Sequence, residues 1–544
     1  MQEQKARNIL GMQLNKRAAD RLFYLSLVML ALFLFLFTGS GEPVLFDDSG
    51  AYLTIDRIEG VMPVYPLFLL INQYLFGNDS YLQIVIVEQA ILAVVCIVVF
   101  VKVIKDTFFL RYLEAYVVFV LALLPFMTDM PQAMSTQEIL TEGIAYALFY
   151  IFAIMLLKAV WTKRFVWIAG AFAMTFVLAM VRSQLQILFG VCGIVFLYVL
   201  CCVRKGTGRW NLLLRIVAGG LGCLIIMLAG VVLTSRTASS YKTMIRDNEK
   251  FYAFAMKIQQ PDAYEDYLEE KELLETRPKE ELEWNVGEID WNDAPEGKLV
   301  TRPFTASQYV SLVFSRGMYE ADKEDAALFE NEILRELFLE LYEAADAEKQ
   351  RYVYAQKGLW MWKDIVGGIG MVGKTCLAVP SEYYVTYHPE IILSDDFSDI
   401  RNAHLQEIGM TLLEAHWGRF LYHTLMLLPS AFICTVFFQV APLYGLCHLI
   451  TLFLYVSAIV LMIWGYADKK ADNRYGEFMA FVLGTNVVMV LIISLIFFGQ
   501  QRYLVYNFGI FYIAYGLLLW ELWKCRIRDW AVGKYNACKA NRNN

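Results

Sequence analysis

The fold class is decided by two neighbouring stretches, FVWIAGAFAMTFVLAMV at residues 165–181 and QLQILFGVCGIVFLYVLCCV at residues 184–203. Neither contains Asp, Glu, Lys or Arg, and each approaches the roughly 20 residues that a helix needs to cross a bilayer. They do not alternate apolar and polar residues, as the strands of a membrane barrel do. Because lipid offers backbone groups no hydrogen-bond partner, both stretches are expected to be helices.

The same pattern recurs along the chain. Hydrophobic residues make up 58% of the 544 residues and charged residues only 19%, a balance that excludes an ordinary soluble protein. The sequence therefore predicts an all-α polytopic membrane protein, a bundle of about 10–11 transmembrane helices. The other apolar segments lie near residues 22–38, 82–104, 110–127, 138–160, 212–233, 418–440, 443–466, 477–498 and 503–523.

Lysines and arginines beside these segments predict the orientation, because cytoplasmic flanks carry an excess of positive residues. Such residues precede the first segment (Lys16, Arg17), follow the last one (Lys524) and flank alternate loops. Both termini are therefore expected in the cytoplasm of a multi-pass protein of the cell membrane. The pattern predicts an N-terminal transmembrane module at 1–234 with a first outer loop at 39–81, an extracytoplasmic insert at 235–417, a C-terminal transmembrane module at 418–524 and a cytoplasmic tail at 525–544.

Two features depart from a simple bundle. Val61–Phe76 contains two prolines and the polar pair Asn72-Gln73, and it is short for a span, so it is expected to lie on the membrane surface or to re-enter the membrane. An outer insert and a cytoplasmic Lys469 require an odd number of crossings between them, yet two apolar segments intervene. One of these two segments is therefore expected to cross incompletely.

The insert is expected to be a mostly helical domain, with helical patterns at 264–284 and 322–354. Within it, the run GIGMVGKT at 368–375 satisfies the phosphate-binding pattern G-x-x-x-x-G-K-[ST]. A phosphate-binding loop requires a buried strand before it and a helix after it, and neither pattern flanks this run. The run is therefore interpreted as a flexible glycine loop.

The first outer loop carries the residues best suited to chemistry. Asp47 and Asp48 are adjacent carboxylates a few residues beyond the end of a span. A carboxylate at the membrane surface can accept the proton of an acceptor hydroxyl, or bind a metal, while a lipid-borne substrate lies alongside. Two solvated aspartates with no chemical role are the alternative interpretation.

Five short motifs give this loop a context. In their order, and in their shared placement at the expected outer face, they resemble the GT-C superfamily of membrane glycosyltransferases, especially bacterial relatives of the protein mannosyltransferases. Ser183 stands where that pattern commonly has proline, and the resemblance covers roughly residues 20–200 and 495–525. The motifs are Asp48-Ser49-Gly50-Ala51-Tyr52, Pro63-Val64-Tyr65-Pro66-Leu67, Ile139-Leu140-Thr141-Glu142, Val181-Arg182-Ser183-Gln184 and Gln501-Arg502-Tyr503.

The resemblance implies an inverting glycosyltransferase that moves a hexosyl or pentosyl group from a polyprenyl-phosphate donor to an extracytoplasmic glycan, lipid or protein acceptor. Asp48, or its neighbour Asp47, would be the catalytic base. No cofactor is required, a divalent metal is compatible with the carboxylates, and the expected partners include membrane lipid but no nucleic acid. The other implied site residues are Arg182, Arg502 and Tyr503 at the donor phosphate and Glu142, Tyr52 and Gln184 at the substrate, which Asp129 joins by its position in a short outer loop.

Each charged candidate also has a purely structural interpretation. Arg182 and Arg502 would snorkel from span ends to the interface, and Glu142 would complement the dipole at a helix N-terminus. Asp129 would be a loop residue before Pro131. At the level of function, the alternatives are a transporter or flippase of a lipid-linked glycan and a non-catalytic membrane protein with a binding insert. A transporter is expected to carry ionisable residues in mid-span, whereas these candidates lie at span ends.

Overall fold

The computed structural model describes residues 2–38, 41–46, 49–55, 61–127, 133–203, 209–261, 264–265, 268, 284–286, 300–302, 308–351, 365–370, 372, 379–380, 383–384, 387–388, 391, 397–437, 443–468, 471–496 and 501–542. Within these ranges the chain is almost entirely helical, as the apolar segments predict. Two short strands, β1 (Trp284–Val286) and β2 (Val300–Arg302), pair in parallel inside the predicted insert.

The helices follow the predicted apolar segments. Those up to the predicted insert are α1 (Gln2–Phe37), α2 (Gly50–Leu53), α3 (Val64–Phe76), α4 (Tyr81–Phe108), α5 (Tyr112–Ala122), α6 (Glu142–Thr162), α7 (Phe165–Val181), α8 (Leu188–Val203) and α9 (Arg209–Asp247). The next are α10 (Glu249–Gln259), α11 (Gln308–Glu320), α12 (Glu332–Arg351) and α13 (Phe397–Ala415). The last are α14 (Trp417–Val436), α15 (Tyr444–Ala467), α16 (Asn473–Ile496), α17 (Gln501–Leu504) and α18 (Phe508–Arg542).

Nine helices in the described part of the chain are long and apolar enough to cross a membrane. Three shorter apolar helices, at Val64–Phe76, Tyr112–Met127 and Phe165–Val181, accompany them. By the length and composition of its helices, the chain is an all-α multi-pass membrane protein. The predicted boundary at 235 falls inside α9, which continues without a break to Asp247, and the boundary at 525 falls inside α18.

Helix α6 forms the centre of the bundle. It is buried nearly all round and packs against α4, α7, α8 and α16. Phe149, Phe152 and Leu156 on this helix are fully buried. A helix that is apolar on every side is typical of a protein interior or a membrane span. The two ends of α6 therefore mark the two ends of the bundle, with Glu142 at its start and Lys163 just beyond its last residue.

Ion pairs join helices at the second of these ends, called here the Lys163 end. Lys163 Nζ lies 2.7 Å from Glu477 Oε1 near the start of α16. Lys105 Nζ, near the end of α4, lies 3.1 Å from Asp20 Oδ1 of α1. The basic residues that predict the cytoplasmic side thus lie together at this end, whereas Arg502 lies at the opposite end, called here the Arg502 end.

Helix α14 ends in the half of the bundle that carries Arg502. Tyr512, near the start of α18, donates its hydroxyl to the carbonyl of Val436, the last residue of α14. Thr435 lies within hydrogen-bond distance, 2.7 Å, of Tyr455 in the middle of α15. Although α14 is long enough to cross, its end lies level with the middle of α15. Both segments before Lys469 are long and apolar enough to cross a membrane, so the incomplete crossing of one of them stays a prediction.

Helix α3 lies along the first part of α4. Tyr65 donates to Gln89 Oε1 at 3.2 Å, and Asn72 Nδ2 donates to Glu88 Oε2 at 2.9 Å. Gln73 on the same helix donates to the carbonyl of Ile258 in α10. The predicted segment thus forms a short apolar helix packed against α4, and its position on or in the membrane surface stays a prediction.

The predicted insert has a small core of its own around α11, α12 and α13. Leu337, Phe338 and Leu405 are fully buried in it. Helices α11 and α13 cross at two glycines: a Cβ added to Gly317 would come within 2.6 Å of the carbonyl oxygen of Gly409. Such a close backbone approach requires glycine at both positions.

Candidate functional site

A buried ion pair joins the first residue of α6 to the residue that follows α7. Arg182 Nη1 contacts Glu142 Oε1, and the two residues are only 9% and 2% exposed. Arg182 Nη1 also donates to Thr141 Oγ1 at 3.3 Å, while its Nε donates to Gln184 Oε1 at 2.9 Å. The Thr141 hydroxyl donates to Glu142 Oε2 at 3.0 Å. The pair is therefore held from both sides by neighbouring polar groups.

The backbone explains how the two charges meet. Helix α7 ends at Val181, Arg182 is extended (φ −148°, ψ 116°), and a 3₁₀ turn follows at Ser183–Ile187. This break in the helix directs the Arg182 side chain across to α6. Glu142 occupies the first residue of α6, where the helix dipole favours a negative charge. The structural and functional interpretations of Glu142 are thus compatible.

Tyr503 lies between two guanidinium groups at the Arg502 end. The Cζ atoms of Arg182 and Arg502 lie 4.9 and 5.1 Å from the centre of its ring. Arg502 Nη2 donates to the Tyr503 hydroxyl at 3.0 Å. Tyr146 of α6 donates its hydroxyl to the carbonyl of Arg502 at 3.1 Å, which ties α17 to the centre of the bundle. Residues from two distant motifs, together with Tyr146 of α6, therefore meet around Tyr503.

The two arginines have different surroundings. Arg182 is buried and its charge is compensated by Glu142, because a buried charge without a partner is costly. Arg502 is half-buried; its Nη2 donates to the Tyr503 hydroxyl and its Cζ lies over the Tyr503 ring. Of the two arginines, Arg502 is the more exposed, and therefore the more accessible to an anionic group from outside the bundle.

Sequence reasoning missed two aromatic residues of this region, Tyr146 and Tyr506. Their rings meet edge to face with centroids 4.9 Å apart, and both are buried. Tyr146 lies one helical turn after Glu142, on the same side of α6. That spacing is the signal from which Tyr146 could have been predicted. Tyr506 follows the Gln501-Arg502-Tyr503 motif closely, and only the fold shows that its ring faces α6.

The loop at 39–81, predicted to be the first outer loop, is fastened to the segment before α6. The backbone N–H of Val44 donates to the carbonyl of Gln137 at 2.9 Å, and that of Ile139 donates to the carbonyl of Val44 at 3.0 Å. The Ser49 hydroxyl donates to the carbonyl of Ile139 at 2.9 Å. These three bonds hold the described residues on either side of the Asp47-Asp48 pair to the strand-like segment that leads to Glu142.

Three predicted site residues, Asp47, Asp48 and Asp129, lie outside the described residues. Among the other candidates, Glu142, Arg182 and Gln184 are in direct contact, and Tyr503 and Arg502 adjoin them. The remaining candidate, Tyr52, belongs to a second contact group.

Tyr52 packs against a hydrogen-bonded group centred on Gln89. The rings of Tyr52 and Tyr65 meet edge to face with centroids 5.3 Å apart, and Tyr65 donates to Gln89. Gln89 Nε2 donates to the carbonyls of Thr136 and Glu138 at 3.1 and 3.2 Å. Gln89 is fully buried within α4. Sequence reasoning missed it, although a polar residue inside an apolar span is a recognised signal.

A second cluster of titratable groups joins the insert to α14. Carboxylate oxygens of Asp322 and Asp325 and a ring nitrogen of His416 are close enough to share a metal ion. Each already has a partner: Arg419 binds both oxygens of Asp322, at 2.5 and 3.2 Å, and His416 Nε2 lies 2.6 Å from Asp325. Hydrogen bonds from Arg419 lower the pKa of Asp322 below its ordinary 3.8. Because the guanidinium supplies the positive charge, the cluster is interpreted as an ion-pair network.

The glycine run at 368–375 lacks the structure of a phosphate-binding loop where it is described. Residues 365–370 are helical, and Gly368 packs against the ring of Tyr319. Ile365 and Ile369 are buried against Leu427 of α14. The expectation of a glycine loop is therefore wrong for residues 368–370, while Lys374 and Thr375 lie outside the described residues.

Comparisons of the chain with protein-family models, with curated proteins and with solved structures find no match. The site is consequently interpreted from its own residues and contacts.

Proposed function

We propose that this protein is a membrane glycosyltransferase of the GT-C type, which moves a sugar from a polyprenyl-phosphate donor to an acceptor outside the cytoplasmic membrane. One observation carries this proposal. Glu142, Arg182, Gln184 and Tyr503, which belong to motifs far apart in the sequence, are in contact at one end of the helical bundle. Charged and buried side chains that converge from separate helices are typical of a functional site.

The proposed reaction uses a carboxylate of the first outer loop. Asp48, or Asp47, accepts the proton of the acceptor hydroxyl as the oxygen attacks the anomeric carbon. Attack comes from the face opposite the phosphate, so the bond between that carbon and the phosphate oxygen breaks and the configuration inverts. The polyprenyl phosphate leaves with the bonding electrons.

The arginines take different parts in this proposal. Arg502 pairs with the donor phosphate and stabilises the charge that develops on it as the sugar leaves. Arg182 instead positions Tyr503 and Glu142, because its own charge is already compensated. In a variant of the same proposal, the carboxylates of Asp47 and Asp48 would hold a divalent metal, which would supply positive charge to stabilise the leaving phosphate.

The orientation is part of the proposal. The Lys163 end would face the cytoplasm, and the Arg502 end and the insert would face outward. The supporting observation is that Lys163, Lys105 and Asp20 of α1 lie at one end of the bundle, away from Arg502. The insert would then lie above the site and help to select the acceptor.

Transfer by purified protein from a panel of polyprenyl-phosphate sugars tests the proposal. We expect release of polyprenyl phosphate together with glycosylated acceptor, and loss of both in Asp47→Asn/Asp48→Asn. Asp79→Asn, an exposed loop aspartate just after α3, is the matched control and should retain activity. Chelation with EDTA tests whether a metal takes part. Loss of activity would support the metal-dependent form of the proposal, and unchanged activity the metal-free form. Full activity of the double variant, with the protein intact in the membrane, would contradict the proposal.

The same assay distinguishes a flippase. A flippase would move the lipid-linked sugar across proteoliposomes and leave the bond between sugar and phosphate unbroken. Movement without cleavage across the whole panel would replace the glycosyltransferase proposal with that alternative.

A further inference from the structure

Helix α14 makes polar contacts at both of its ends, with the insert at one and with the helices around Arg502 at the other. At its start, His416, Arg419 and His423 face the insert; the spacing of three and four residues places them on one side of the helix. Near its end, Thr435 faces the bundle. The polar contacts at the start are called here the insert seam, and those near the end the asparagine chain.

The insert seam joins α14 to α11 and the turn after it. Arg419 binds Asp322 through two nitrogens, and His416 contacts Asp325. His423 Nδ1 lies 2.8 Å from Glu320, which is almost fully buried. These contacts span two turns of α14, so the first half of the helix moves with the insert.

Arg316 of α11 also contacts α14. It is 2% exposed, donates to Thr424 Oγ1 at 2.8 Å, and lies with its Cζ 4.6 Å from the centre of the Phe420 ring. Burial lowers its pKa to about 10, and Glu320 on the same helix opposes that decrease. Burial disfavours this charge, so what Arg316 contributes to the interface between the insert and α14 is its contacts with Thr424 and Phe420.

The asparagine chain runs from Thr435 of α14 to Asn507, the last residue of the 3₁₀ turn that follows α17. Asn507 Nδ2 donates to Asn486 Oδ1 at 2.9 Å, and Asn486 Nδ2 donates to the Tyr455 hydroxyl at 3.0 Å. The Thr435 hydroxyl donates to the carbonyl of Phe432 at 2.7 Å, so its oxygen accepts from Tyr455. Every bond in the chain therefore has a fixed direction, and such chains strengthen cooperatively.

A proline separates the two halves of α14. Pro429 has no N–H, so the helix lacks one backbone hydrogen bond there, which is a recognised cause of bending. Beyond it, α14 packs directly against α17 and the 3₁₀ turn Val505–Asn507. A shift of the first half of α14 relative to the second would therefore pivot at Pro429. The insert seam lies on one side of this pivot and the asparagine chain on the other.

We propose that α14 couples the insert to the Arg502–Tyr503 segment: the insert seam and the asparagine chain stabilise one arrangement of the helix around Pro429, so loosening either set of contacts loosens the other. Through this coupling, a ligand that binds or orders the insert changes the position of the Arg502–Tyr503 segment. The coupling is reciprocal, because it is a free energy shared between two sites.

Amide hydrogen exchange of the full-length protein in lipid nanodiscs tests this coupling without any substrate. Arg419→Gln removes the pair with Asp322, and we expect roughly twofold to thirtyfold faster exchange in peptides that cover residues 501–507. Asn486→Leu, at the other end, should speed exchange in residues 308–325 by a comparable factor. The charge-exchanged variant Asp322→Lys/Arg419→Glu should restore slow exchange at 501–507.

Lys102→Gln is the matched control, because it removes an exposed pair with Asp106 on α4 and should change neither region. Unchanged exchange in α6 (residues 142–162) shows that a variant is folded. If Arg419→Gln is not folded, His423→Asn takes its place. Faster exchange in 308–325 with no change at 501–507, in a folded seam variant, would overturn the coupling. These outcomes do not depend on glycosyl transfer, so the coupling and the proposed function can fail separately.

Discussion

The carboxylate of Glu142 and the guanidinium of Arg182 neutralise each other in a site that solvent hardly reaches. A buried pair of this kind is costly to break by removing one partner, but replacing both partners together costs much less. The two residues therefore contribute to stability whether or not they also bind a substrate.

Glu142→Gln and Arg182→Gln should each lower the free energy of unfolding by about 3–5 kcal/mol, because each leaves one uncompensated buried charge. The double variant Glu142→Leu/Arg182→Met should recover most of that loss. Chemical unfolding of the purified protein in mixed micelles measures the three values. Additive losses in the double variant would show that the two charges do not depend on each other.

Arg502→Gln should reduce glycosyl transfer by roughly a hundredfold, since it removes the half-buried charge proposed to stabilise the leaving phosphate. Stability should change by less than about 1 kcal/mol, because the residue is only partly buried. Tyr503→Phe removes the hydroxyl that accepts from Arg502 but keeps the ring, and it should cause a smaller loss. Initial transfer rates compare the variants; equal rates for Arg502→Gln and the natural protein would exclude this role for Arg502.

Gly317→Ala should destabilise the crossing of α11 and α13 by about 1–3 kcal/mol, because the added Cβ would press on the backbone of Gly409. Gly370→Ala is the matched control, since a Cβ there would meet nothing within 4 Å. Thermal unfolding of the two variants provides the comparison. A loss of the same size in both would mean that helix propensity, and not the close crossing, governs the effect.

Gln89→Leu should lower stability by about 1–3 kcal/mol, because two buried carbonyls, those of Thr136 and Glu138, lose their donor. Tyr65→Phe removes only the bond to Gln89 Oε1 and should cost less. The same micelle unfolding assay ranks the two variants. If Tyr65→Phe were the more harmful, the segment before α6 would be held mainly by α3 and not by Gln89.

Acid should weaken the insert seam through Asp322, whose pKa is lowered by Arg419. A lowered pKa in the folded protein means that the stabilisation is fully present above the ordinary value of 3.8 and is lost as the pH falls through the lower folded value. The difference in unfolding free energy between the natural protein and Asp322→Asn should be roughly 0.2–1 kcal/mol from pH 7 to about 5, since the pair is half exposed. It should shrink below the ordinary pKa; a difference that grows in acid would contradict this assignment.

The sequence by itself determined the fold class of this protein. Long uncharged stretches such as 165–181 allow few structures other than helices in lipid, because the backbone must satisfy its own hydrogen bonds there. The same local logic predicted the short helix that the structure has at Val64–Phe76. Glu142, Arg182, Gln184 and Tyr503 came instead from short motifs that resemble those of a known family.

Only the tertiary structure decided how these residues meet. Nothing in the local sequence shows that Arg182 is compensated by Glu142 and lies over the Tyr503 ring, because these contacts depend on how α6, α7 and α17 pack. Gln89 and Tyr506 escaped prediction for the same reason: their partners come from distant segments. The extension of α9 to Asp247 was also unpredicted, because polar residues beyond a span end continue a helix only where other helices pack against them. Periodicity and charge are local properties, whereas a pairing across helices is fixed only when the whole bundle has packed.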